Sequence, residues 1–137
     1  MKIVGIEEHF LPNSVRNAWS VGEKDNSQDL NMGEVEKRLE DLSDGRIRLM
    51  DESGVDVQVL SLTSPGLHNL DSGKSVDLAR QTNDLISATV ALRADRFEGF
   101  ATLPTAATSE AARELERSIC HLGLKGAMLC GRTMSST

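Results

Sequence analysis

The sequence predicts an α/β fold built around a parallel sheet, on three observations. Short apolar runs recur at residues 3–6, 55–62, 97–103 and 124–129, each of a length that suits a buried strand. Stretches with apolar residues at helical spacing lie between the last three of these runs. Turn-forming residues punctuate the boundaries at Gly54, Pro65-Gly66, Pro104 and Gly123. Strands alternating with helices make βα units, which require parallel pairing and right-handed crossovers. Two architectures satisfy that pattern: an open doubly wound sheet, or part of a (β/α)8 barrel. Neither GxGxxG nor GxxxxGK[ST] is present, so neither nucleotide-binding fingerprint supports the first.

The elements follow in order. Residues 1–10, MKIVGIEEHF, give a first strand that runs straight into charged groups. Residues 11–45 read as an irregular insertion: Pro12, Asn13 and Ser14 break the strand, and 20–33 is polar. Trp19, the single tryptophan, lies within it. A short helix is expected over 34–42, with Val35, Leu39 and Leu42 at helical spacing. Asp44 reads as the N-cap of the next helix, which Gly54 stops. The strand over 55–62 ends in Thr63-Ser64-Pro65-Gly66. The clearest helix spans 75–93, with Val76, Ala79, Leu85, Ile86, Thr89 and Val90 as its apolar stripe. A strand over 97–103 ends at Pro104. A helix over 109–122 follows, with Ser109 as N-cap, Ala112, Leu115, Ile119 and Leu122 turned inward, and Gly123 as C-cap. The strand over 124–129 leads into a polar tail, 132–137.

Length and composition bound the function. At 137 residues the chain makes one domain with a real core. Its 39% hydrophobic and 26% charged content is that of a soluble globular protein. A net charge of -6 without a basic patch argues against nucleic acid and anionic membranes as partners. No apolar run approaches a membrane span, and the N-terminus lacks the pattern of a signal peptide. Two cysteines, Cys120 and Cys130, without a CxxC pattern suit free thiols in a reducing cytoplasm.

Chemistry concentrates in the first strand. Side chains alternate faces along a strand, so Glu7 and His9 point one way, with Ile3 and Gly5, while Glu8 points the other with Val4 and Ile6. A carboxylate and an imidazole two apart at a strand's C-terminal end are suited to be paired metal ligands. Glu-x-His is also what a solvated strand end looks like, and the spacing alone does not separate the two.

The run Gly5-Ile6-Glu7-Glu8-His9-Phe10 resembles the start of the metal-dependent aromatic-acid decarboxylases of the amidohydrolase superfamily. That group includes γ-resorcylate and 2,3-dihydroxybenzoate decarboxylases and, more distantly, aminocarboxymuconate-semialdehyde decarboxylase. The resemblance continues through Arg48-Leu49-Met50-Asp51-Glu52-Ser53-Gly54-Val55 and Val59-Leu60-Ser61-Leu62-Thr63-Ser64-Pro65-Gly66. It returns at Thr82-Asn83-Asp84-Leu85, at Asp95-Arg96-Phe97-Glu98-Gly99-Phe100-Ala101-Thr102-Leu103-Pro104, and at Gly123-Leu124-Lys125-Gly126-Ala127-Met128.

The resemblance implies the N-terminal half of a (β/α)8 barrel, about four parallel strands with intervening helices. It implies one divalent metal, Zn or Mn, with Glu7 and His9 as two ligands, and a small-molecule carboxylic acid as substrate of the full-length proteins. Some members of the superfamily are hydrolases, in which the metal activates water. The family's later metal histidine and its later aspartate have no counterpart in this sequence, so no catalytic residue carries over. A complete barrel needs roughly 250 residues. Ser64, His68 and Cys130 are the further candidates for contact with a substrate. The family tends to carry an asparagine in a V-N-G stretch after the fourth strand; here the stretch is Leu129-Cys130-Gly131, which leaves the substrate class open. Two expectations follow: a decarboxylase or hydrolase portion that is truncated and inactive alone, or a non-catalytic half-barrel that associates with itself or with a complementing C-terminal half.

Overall fold

The computed structural model describes residues 1–20 and 33–130. The element order is β1 (Val4–Phe10), α1 (Asn13–Ser20), α2 (Gly33–Glu40), α3 (Asp44–Ser53), β2 (Val57–Leu62), α4 (Ser72–Leu92), β3 (Phe97–Ala101), α5 (Thr108–Cys120) and β4 (Gly126–Ala127). The four strands form one sheet in the order β1-β2-β3-β4, every pair parallel. A doubly wound sheet reverses its strand order at a switch point. This sheet never reverses, and so has the winding of a (β/α)8 barrel: four strands and their helices, half of the closed figure.

Registry assigns the faces. Gln58 pairs with Phe97 and Leu60 with Gly99, while Phe10 pairs with Leu62. Phe10, Leu60, Phe97 and Ala101 therefore share the face that packs on Ile47 and Met50 of α3 and Ile86 of α4. Gly99 lies directly beneath α4: a Cβ there would strike Ile86 and come within 3.1 Å of Leu124. A second cluster joins Leu11, Val15, Leu62, Leu67, Leu78 and Ala79, with Trp19 against it. The Trp19 indole donates to the Gly66 carbonyl at 2.9 Å, tying α1 to the turn after β2.

Several sequence expectations need correction. The helix expected over 34–42 is α2, but the rest of the stretch 11–45 is not all irregular, since Asn13–Ser20 forms α1. Pro12 does not prevent the turn into α1, because its carbonyl accepts from the amides of Val15 and Arg16. Residues 21–32 and the tail at 132–137 lie outside the described residues. The cap of α3 is Ser43, not Asp44, and α5 is capped at Ala107, not Ser109. Gly54 does end α3, with φ of 80°. The strand expected over 124–129 is ladder-bonded only at Gly126–Ala127.

The helix faces also differ. In α4, Leu85 is 39% exposed, whereas Leu78, Thr82 and Asn83 are buried. In α5 the apolar positions Leu115 and Ile119 are exposed, and the buried residues are Glu114 and Ser118. The reason is a polar network that the apolar count does not register. Asn83 Nδ2 donates to the Thr102 carbonyl and to Glu114, both at 2.9 Å, and its Oδ1 accepts from the Thr102 amide at 2.8 Å. Arg117 grips Glu114 through two nitrogens and reaches Asp84 at 2.7 Å. The Glu114 hydrogen bond foremost, with that of Asp84, holds the guanidinium pKa above its ordinary value.

Candidate metal centre

The first strand departs from simple alternation. Val4 pairs with Val57 and Gly5 with Gln58, but the next partners are Glu8 with Leu60 and His9 with Ser61. Ile6 and Glu7 together oppose Val59, which is a β-bulge. Val57 and Ser61 share a face of β2, so Val4 and His9 share that face too, although an odd number of steps separates them. Gly5 moves to the opposite face and joins Glu8, not Glu7 and His9 as alternation predicts. The Glu8 carboxylate folds back over Gly5 so closely that a Cβ there would strike it. Bulges of this kind re-aim side chains beside functional sites.

Glu7 is exposed and His9 is half-buried. His9 pairs with Ser61 on the face away from α3 and α4, and Glu7 lies in the bulge two residues before it, opposite Val59. The Ser61 hydroxyl lies 3.1 Å from His9 Nδ1, and Ser61 itself is fully buried. That contact fixes the ring and leaves Nε2 as the free nitrogen. A carboxylate oxygen and an imidazole nitrogen form a donor set that suits divalent Zn or Mn.

Behind the strand stands Arg46, 8% exposed. Its guanidinium donates to the carbonyls of Asp41 at 2.6 Å, His9 at 3.1 Å and Arg38 at 3.1 Å, and to Gln58 Oε1 at 3.2 Å. Gln58 in turn donates to Glu8 at 3.3 Å. Burial pulls the Arg46 pKa down, against the opposing pull of the Glu8 and Asp41 carboxylates. At Asp41 burial acts upward, but hydrogen bonds from Ser43 and the charge of Arg46 outweigh it and hold the carboxyl below its ordinary value.

The remaining candidates gather elsewhere. His68 and Cys130 line one cavity at the C-terminal ends of β2, β3 and β4, together with Pro65, Thr102 and Met128. Its volume of about 20 Å³ holds about one water and no aromatic acid. Ser64 is exposed and does not line it, and neither Glu7 nor His9 does. His121 is exposed at the end of α5. Among the described residues no group of three or more His, Cys, Asp and Glu is placed to share a metal ion. Sequence reasoning missed Ser61, Gln58 and Arg46. A serine inside an apolar strand at the register of His9 is the one signal that pointed to Ser61.

No protein-family profile matches the chain. It is similar to the γ-resorcylate decarboxylase of Polaromonas sp. (strain JS666), with 39% identity over 131 residues covering 93% of this chain and 38% of that protein. Among solved structures it is similar to a dihydroxybenzoic acid decarboxylase from Polaromonas sp. JS666 with bound manganese and the inhibitor 2-nitroresorcinol. That match has a TM-score of 0.84 at 36% identity and covers 100% of this chain and 42% of the other. A 5-carboxyvanillate decarboxylase of Novosphingobium aromaticivorans, also with bound manganese, superimposes with a TM-score of 0.88 at 28% identity over 96% of this chain and 42% of that one. The chain thus spans about two fifths of the length of the relatives it matches.

Proposed function

We propose, from similarity over the whole chain to the N-terminal portion of aromatic-acid decarboxylases of the amidohydrolase superfamily, that this chain supplies the first-strand half of a divalent-metal site for decarboxylation of an aromatic carboxylic acid. The observation that carries this reading is local. His9, past the bulge of the first strand, has its ring nitrogen Nδ1 3.1 Å from the Ser61 hydroxyl, and Glu7 stands two residues before it in the bulge, which supports reading the two as ligands. Glu7 and His9 are the residues that would hold the ion, and the manganese in two solved relatives favours Mn over Zn. Such an ion, when bound, supplies positive charge that anchors a carboxylate or phenolate oxygen of the substrate.

The chain's own residues do the rest. Ser61 sets the orientation of the imidazole and leaves Nε2 facing outward. Glu8 stays bonded to Gln58 on the far side of the strand, so it does not compete for the ion. Two ligands leave most of the ion's coordination positions to water, so the 137-residue chain binds metal weakly and has negligible turnover by itself. Elemental analysis after gel filtration is expected to find substoichiometric metal. Stoichiometric metal that resists a chelator overturns this half-site reading. A hydrolase of the same superfamily is the nearest alternative, and assay of carbon dioxide release from dihydroxybenzoates by a complete protein carrying this portion separates the two.

A second reading is favoured by exposed apolar groups on the sheet. Val4 is 48% and Ile6 62% exposed on β1. In this reading the half-barrel covers that surface with another copy or with a complementing C-terminal half.

A further inference from the structure

We propose that Arg46 is a positioning residue for the metal half-site: its guanidinium sets the direction in which β1 projects Glu7 and His9. The proposal rests on the reading of those two residues as ligands.

Arg46 is nearly buried, yet its guanidinium donates to carbonyl and amide oxygens of Asp41, Gln58, His9 and Arg38, with the Glu8 and Asp41 carboxylates acting on it through charge. Burying a cation this way is a weak source of stability, since desolvation offsets much of the gain. What the arrangement gives is geometry. Four oxygens from α2, the α2–α3 turn, β1 and β2 converge on one planar group with fixed donor directions. Two of these links reach the strand just past the bulge. One is direct, to the His9 carbonyl at 3.1 Å. The other runs through Gln58, which bonds Arg46 with its oxygen and Glu8 with its nitrogen.

Glu8 and the His9 peptide are thus held from the helix side, and the ligands Glu7 and His9 lie on either side of Glu8. A bulge has lost part of its ladder bonding and is free to twist. Here the twist is limited by Arg46, so both ligands keep a common aim. Ser61 fixes the His9 ring about its own axis, whereas Arg46 fixes the backbone that carries it. Outer groups of this kind change metal affinity by about 10–100-fold when removed.

The test is Mn²⁺ titration of the 137-residue chain, read by the EPR signal of the free ion, well below each variant's melting temperature. Arg46→Met retains the stem volume and removes the guanidinium; Gln58→Leu breaks only the link to Glu8. Both are expected to weaken Mn²⁺ about tenfold or more while circular dichroism stays that of the wild type. Arg46→Lys, which cannot reach all four oxygens, is expected to lie between. Glu7→Gln reports on the underlying reading. If Glu7→Gln loses Mn²⁺ and both Arg46→Met and Gln58→Leu retain wild-type affinity, positioning is overturned and the half-site stands. If the wild type binds no Mn²⁺, or Glu7→Gln binds as the wild type does, the half-site reading falls and this proposal with it. If Arg46→Met does not fold, Gln58→Leu decides alone.

Discussion

Ser61 is fully buried, and its hydroxyl has a partner in the His9 ring. Ser61→Ala removes that partner without leaving a void larger than an oxygen. Mn²⁺ affinity of the chain is expected to fall roughly tenfold, as for other outer partners of a ligating histidine, with the melting temperature little changed; a titration of both proteins checks it. A second residue-scale expectation concerns acid. Asp41 accepts from the Ser43 amide at 2.8 Å and hydroxyl at 2.7 Å, and its carboxyl is held below the ordinary value. A carboxyl lowered by folding adds stability above its unfolded pKa of about 3.9 and loses it as pH falls through the folded value. Asp41→Asn is therefore expected to flatten the decline in stability below about pH 4, measured by urea unfolding at a series of pH values. At this scale the spacing singles out Glu7 and His9, the two residues on which the proposed half-site rests. Gly5 was misplaced, because alternation cannot foresee an extra residue in the strand. Arg46 gave no signal, because a charged residue early in a helix reads as solvated until its four oxygen partners are assembled in space.

At the scale of elements, α4, α5 and β3 are joined by polar contacts as much as by apolar ones. Asn83 bonds both backbone groups of Thr102 and also Glu114. Asn83→Ala leaves the Thr102 amide and carbonyl and the buried Glu114 carboxylate short of partners. Each such group costs about 1–3 kcal/mol, so the variant is expected to lose at least that much in chemical denaturation. Asn83→Asp tests the point further: it retains the acceptor for the Thr102 amide but sets a second carboxylate against Glu114, and should be no better than Ala. The existence of these helices was legible from periodicity, and Gly54 from its place after α3. Their faces were not. Leu115 and Ile119 looked like the inner side of α5, yet Glu114 is the residue turned in, because Asn83 and Arg117 satisfy it there. A partner on another element is invisible to a count of apolar positions.

For the molecule as a whole, the βα alternation gave the parallel sheet, and the strand order selected the barrel winding over the doubly wound one. Order is a property of pairing, so no single segment encodes it; resemblance to a barrel family supplied it before the registers did. β1 and β4 each have one described strand neighbour, and Val4 and Ile6 stand exposed on β1. An apolar strand edge of this kind promotes association. The isolated chain is expected to sediment with a concentration-dependent average mass above that of a monomer. A monomer at all concentrations that fails to enhance the fluorescence of an apolar dye would count against both self-pairing and complementation.

The unreversed strand order has a consequence for synthesis. Because β2 pairs with β1, β3 with β2 and β4 with β3, each of these strands leaving the ribosome finds its preceding neighbour already emerged, and the three pairings within this half of the figure wait on no distant segment. Pairing with near sequence neighbours shortens the search that limits folding, and growth of the sheet runs in the same direction as translation.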